Sequence, residues 1–115
     1  MRVWLIGAGK IGSATVRQLQ KNPDIEIVVS DPSPKPAAVQ EGVISRVDIV
    51  ENVTSVNINQ LARRIRPDLI LISPAANERG MAKVEGGQAL TDALNHELVQ
   101  TSEYPVLILS LSSSR

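Results

Sequence analysis

Val3-Trp4-Leu5-Ile6-Gly7-Ala8-Gly9-Lys10-Ile11-Gly12 decides the fold of this 115-residue chain. Four apolar residues in succession read as a short strand covered on both faces. They run straight into Gly-x-Gly-x-x-Gly, and each glycine answers a different steric demand. Gly7 lets the chain turn tightly as it leaves the strand. Gly9 has no Cβ, so the backbone can approach a ligand. Gly12 lets the following helix pack close to the sheet.

Outward from this turn, Arg2 to Ile6 is the predicted first strand and Gly9 to Gln20 the first helix, with Ile11, Ala14, Thr15 and Leu19 on or near one stripe. Asn22-Pro23-Asp24 closes the helix, because proline cannot continue it. Ile25 to Ser30 is the second strand and Asp31 stands directly after it, which completes a strand–helix–strand unit. Pro32, Pro34 and Pro36 stiffen the next segment and keep it out of a strand interior. A helical turn or two is expected over Ala37 to Glu41, ending at Gly42. The third strand is expected within Val43 to Val50, with Arg46 and Asp48 marking a sheet edge.

Asn57 is the expected cap of a helix carrying Ile58, Leu61, Ala62 and Ile65 at helical spacing, with Pro67 as its stop. Arg63, Arg64 and Arg66 fall near its C-terminus, where positive charge suits the dipole. Leu69 to Ile72 reads as a central fourth strand, Ser73 to Gly80 as an irregular connection, Gly87 to Gln100 as a late helix and Val106 to Leu109 as a fifth strand. Strands alternating with helices give a parallel sheet covered on both sides, and right-handed crossovers favour the strand order 3-2-1-4-5. The expectation is one Rossmann-like α/β/α sandwich over residues 1–110, followed by a frayed serine-rich tail at 111–115.

Composition narrows the partners. Twelve Lys and Arg balance twelve Asp and Glu, which argues against nucleic acid or an anionic membrane as the main partner. There is no cysteine, so disulfides, thiol catalysis and thiolate metal sites are excluded, and the single histidine, His96, forms no histidine cluster. No signal peptide is visible and no apolar run is long enough to span a bilayer, so a cytoplasmic protein is expected.

The glycine turn would lie at the C-terminal edge of the sheet, where the N-terminus of the first helix offers free N–H groups to an anion. A dinucleotide pyrophosphate needs such donors without bulky side chains. Gly7, Ala8, Gly9, Lys10, Ile11 and Gly12 are the expected phosphate-side residues, with Lys10 either at the phosphate or simply solvated. Asp31 stands where an acidic side chain accepts the adenosine ribose hydroxyls. A 2′-phosphate there would meet like charge, which favours NAD over NADP. Lys35 tempers the choice if the proline segment folds back, and FAD or another adenosine nucleotide can use the same carboxylate. Ser73, Pro74 and Asn77 follow the fourth strand and are placed to line the nicotinamide end, or to shape a turn. Glu51, Asn52 and Val53 fall near the expected adenine position. Glu78 to Gly87 reads as a charged connector, and Asp92 and His96 as a helical pair.

The stretch from Val3 to Gly12, taken with Ile27-Val28-Val29-Ser30-Asp31, resembles the N-terminal half-site of NAD-binding Rossmann domains. Saccharopine-dehydrogenase-like and potassium-uptake regulatory domains are the nearest groups. The resemblance implies dinucleotide binding by Gly7, Gly9, Gly12 and Asp31. Dehydrogenases of these groups hold the substrate in a further domain.

Three functional readings follow. The first is a small NAD-binding module that senses dinucleotide or serves as one subunit of an assembly; edge strands and apolar helix surfaces are compatible with a homodimer or a partner protein. The second is an oxidoreductase whose substrate site is completed by a partner chain or another domain. The third is an interaction domain without a nucleotide. No residue reads as catalytic and none as a metal ligand.

Overall fold

The computed structural model describes residues 1–73 and 95–109. Five strands form one parallel sheet: β1 (Arg2–Ile6), β2 (Glu26–Asp31), β3 (Ile49–Val50), β4 (Leu69–Ile72) and β5 (Val106–Ile108). Their order is β3-β2-β1-β4-β5, as the crossover rule predicts. Between them run α1 (Lys10–Leu19), α2 (Ala37–Gln40) and α3 (Ile58–Ile65). Residues 95–101 are helical and lead into β5, while the rest of the expected late helix and the 111–115 tail lie outside the described residues.

The near-continuous apolar strands are explained by two cores. Trp4, Ile6, Ile70 and Ile72 point to one face, beneath Ile58, Leu61, Ala62 and Ile65 of α3 and Leu98. Val3, Leu5, Val29 and Leu71 point to the other, beneath Val16 of α1 and Ala38 of α2. Alternate residues of one strand therefore serve opposite layers, and the apolar stretches of β1 and β4 are covered on both faces. The indole N–H of Trp4 finds its partner inside the sheet, donating to Ser30 Oγ at 2.9 Å.

The structure corrects the sequence reading in three places. The buried face of α1 is Gly12, Ser13 and Val16, and Ala14 is exposed. The helix is turned toward its small residues because Gly12 seats it directly on the turn before it. The third strand lies within the expected span of Val43 to Val50 but takes only its last two residues. Gly42 has φ 76°, and the N–H groups of Val43 and Ile44 both turn back to the Ala38 carbonyl. The ladder on β2 is instead completed by one residue. Asp48 N–H donates to the Val29 carbonyl at 3.0 Å, and Asp48 Oδ2 accepts the Val29 N–H at 2.8 Å. Finally, Asn57 sits at the start of α3 but caps no helical amide. Its side chain accepts the Thr54 N–H and donates to the Asn52 carbonyl, so it folds the loop before the helix. At the other end α3 stops at Arg66, which adopts φ 56° one residue before Pro67.

Candidate functional site at the glycine turn

The sheet order reverses at β1, which has β2 on one side and β4 on the other. The chain passes from β1 to β2 on one side and β5 pairs with β4 on the other, so the order reverses between β1 and β4, the point at which open parallel sheets generally hold their ligands. The ladders close tightly up to that point: Gly7 N–H donates to the Ser30 carbonyl at 2.8 Å and Ser73 N–H to the Ile6 carbonyl at 2.9 Å.

Gly7 has φ 95°, a conformation that a residue with a Cβ rarely adopts. Gly9 is the N-cap of α1 with φ −73°, a value open to residues with a side chain, so the turn itself does not demand glycine there. A methyl group built on Gly12 would collide with the Gly7 carbonyl oxygen. The first and third glycines thus depend on one another, and the helix can start where it does only because both are present. Glycine at the cap brings no side-chain hydrogen bond, and the first turn of α1 holds no acidic residue. The N–H groups of Lys10, Ile11 and Gly12 have no acceptor within the helix, and the positive end of its dipole is not neutralised from its own first turn. Lys10 is exposed and Ile11 half-buried.

Asp31 closes the other side of the turn and is 5% exposed. Its Oδ2 accepts the Ala8 N–H at 2.8 Å, and its Oδ1 accepts the Ser33 N–H at 2.8 Å. The second bond is an Asx-turn, two residues on, and starts the proline segment. That segment folds back: the Ala8 carbonyl accepts the Ala38 N–H at 3.0 Å. Lys35 is exposed on it. Behind the first helix, Ser13 Oγ donates to Glu41 Oε1 at 2.8 Å and Arg17 approaches the same carboxylate at 3.7 Å. These bonds tie α1 to the end of α2.

Of the residues expected on the nicotinamide side, Ser73 is fully buried at the end of β4. Pro74 and Asn77 lie outside the described residues, as do the Glu78–Gly87 connector and Asp92. His96 is exposed on the 95–101 helical stretch. Glu51 and Asn52 are exposed after β3, whereas Val53 belongs to the core beneath α3. Sequence reasoning missed the grip on Ala8 from both its peptide groups. The Asp-Pro-Ser spacing at 31–33 was a usable signal for the Asx-turn, whereas nothing local points to Ala38.

The sequence matches the family described as saccharopine dehydrogenase NADP binding domain over residues 3–84, a span that includes β1, the glycine turn, Asp31 and β4. The chain belongs to this family. Two solved structures share the fold of the domain. L-threonine 3-dehydrogenase from Trypanosoma brucei is 20% identical with a TM-score of 0.59, the match covering 93% of this chain and 35% of that one. UDP-glucose 4-epimerase from Thermotoga maritima, solved with UDP-glucose, is 16% identical with a TM-score of 0.51, covering 94% and 37%. The chain thus spans little more than a third of the length of either. A comparison with curated protein sequences returns no match. Among the described residues, no helix of this family member is long and apolar enough to cross a membrane.

Proposed function

We propose that this domain binds NAD(H), with the pyrophosphate on the turn from Gly7 to Gly12 and the adenosine ribose at Asp31, and that it works as a dinucleotide sensor or as the nucleotide-binding subunit of a larger cytoplasmic assembly. The observation that carries the proposal is the turn itself. Gly12 occupies a place where a methyl group would strike the Gly7 carbonyl, and the helix behind it begins without an acidic residue. Such a terminus is suited to two adjacent phosphates. Lys10 adds charge beside them, and Ser73, Pro74 and Asn77 are proposed to flank the nicotinamide half.

Asp31 supports NAD(H) over NADP(H). A ribose 2′-hydroxyl can donate to a carboxylate, whereas a 2′-phosphate beside it adds like charge in a partly desolvated place. The family description carries NADP, so this preference is the sharpest point of the proposal. A second reading, an oxidoreductase completed by a partner chain or a further domain, draws on the two structural neighbours. One is a dehydrogenase, the other an epimerase, and this chain matches only about a third of each.

Calorimetric titration with NAD, NADH, NADP, NADPH and ADP-ribose tests the proposal. NADH and ADP-ribose are expected to bind, and NADPH to bind at least about tenfold more weakly, a difference of roughly 1.4 kcal/mol. Failure of all five ligands ends the dinucleotide reading. NADPH binding as tightly as NADH ends the NAD preference alone. Oxidation of NADH in the presence of a carbonyl panel separates the second reading from the first.

A further inference from the structure

A carboxylate whose sole task is to meet a ribose arriving from solution should wait exposed and unengaged. Asp31 does neither. It is 5% exposed, and each of its oxygens already accepts a backbone N–H, from Ala8 and from Ser33. Ala8 is the residue between the first two glycines, where the chain has the widest conformational freedom. Its side chain is fully buried, its N–H is held by Asp31, and its carbonyl is held by the Ala38 N–H. Both grips come from the segment 31–38, and neither comes from the helix that the turn introduces.

We infer that Asp31 is a positioning residue for the glycine turn: its carboxylate, together with the Ala38 amide, fixes Ala8 and so aims the amides that follow before any dinucleotide arrives. The effect on affinity rests on the reading of the turn as a phosphate site; the hold on Ala8 does not. An ionised carboxylate has about four acceptor sites. Two are used here, and two remain for ribose hydroxyls. One side chain then serves both ends of the adenosine diphosphate, by receiving the sugar and by keeping the phosphate donors in place. Asparagine cannot replace it, because its amide nitrogen would confront either the Ala8 or the Ser33 N–H with a second donor. Loss of this order costs affinity even for a ligand that never touches the carboxylate, since binding must then organise the turn.

The test compares the wild-type protein with Asp31→Asn, using NADH and the analogue lacking both hydroxyls of the adenosine ribose. A role through the ribose alone predicts that the substitution weakens NADH and leaves the dideoxy analogue unchanged. Positioning predicts that both ligands weaken, the analogue by about tenfold for the loss of a charge-assisted hydrogen bond. Amide exchange of the ligand-free proteins supplies the readout that needs no nucleotide. The Ala8 N–H should be protected in the wild type and lose that protection in Asp31→Asn, while the amides of Trp4 to Ile6 stay protected. An unchanged dideoxy analogue, or an Ala8 amide that exchanges as freely in the wild type as in the variant, overturns the inference. Should no dinucleotide bind the wild type, the proposed function fails and Ala8 exchange alone decides the positioning role. Should the variant not fold, strong protection of Ala8 in the wild type supports the inference and free exchange overturns it.

Discussion

The two crossovers on the α1 face of the sheet solve the same problem by different means. The first, from β1 to β2, is a ten-residue helix that buries Gly12, Ser13 and Val16 against the strands. The second, from β2 to β3, contains a four-residue helix and then an irregular run to a two-residue strand. It leaves a groove of about 330 Å³ between α1, β2 and residues 43–48. The first crossover is held mainly by packing, whose contribution scales with the apolar area buried. The second is held by individual hydrogen bonds: Asp31 to Ser33, Ala38 to Ala8, and Asp48 to both peptide groups of Val29. A segment too short to cover its own strand can still be fixed in place when its carboxylates stand in for missing backbone acceptors.

Substitutions can break or sharpen this contrast. The largest effect is expected at the seat of the first crossover. Gly12→Val should cost about 3 kcal/mol or more in urea denaturation, because the added atoms strike a backbone carbonyl that cannot move aside, and it should abolish dinucleotide binding. Val16→Ala, fully buried over the sheet, should cost about 2 kcal/mol through lost burial and the cavity it leaves, with its cost falling on global stability.

In the second crossover the damage should be smaller and local. Asp48→Ala strands the Val29 N–H and should cost about 1 kcal/mol, with faster amide exchange at Val29 and little change at Val3 or Leu5. Pro34→Ala should cost less, about 0.5 kcal/mol, by loosening the unfolded chain and not by removing a contact. Equal and global losses for Val16→Ala and Asp48→Ala would erase the distinction between a crossover held by packing and one held by hydrogen bonds.

What was legible in the sequence follows the same division. Arg2–Ile6 and Leu69–Ile72 form strands over the residues expected, since an apolar run bounded by glycine, proline or polar residues carries its own signal. The strand order was legible too, because handedness leaves few ways to connect alternating strands and helices. Asp31 was marked as a site residue by its place at the end of the second strand, of which it proves to be the last residue, but its two amide partners were not.

The sequence by itself determined the first strand, the glycine turn, the helix it introduces and the acidic residue at the end of the second strand. These depend on side-chain period and on which residues tolerate a given backbone angle, and both are local properties. Only the tertiary structure decided that α1 rests on Gly12, Ser13 and Val16, that Asp48 completes the ladder in place of a longer third strand, that Asn57 ties a loop and caps no helix, and that Asp31 and Ala38 grip Ala8. A buried N–H or carbonyl must find a partner, but the partner is whichever group the fold brings within reach. That choice is made across 19 residues between Val29 and Asp48 and across 23 between Ala8 and Asp31, beyond the range of any local pattern.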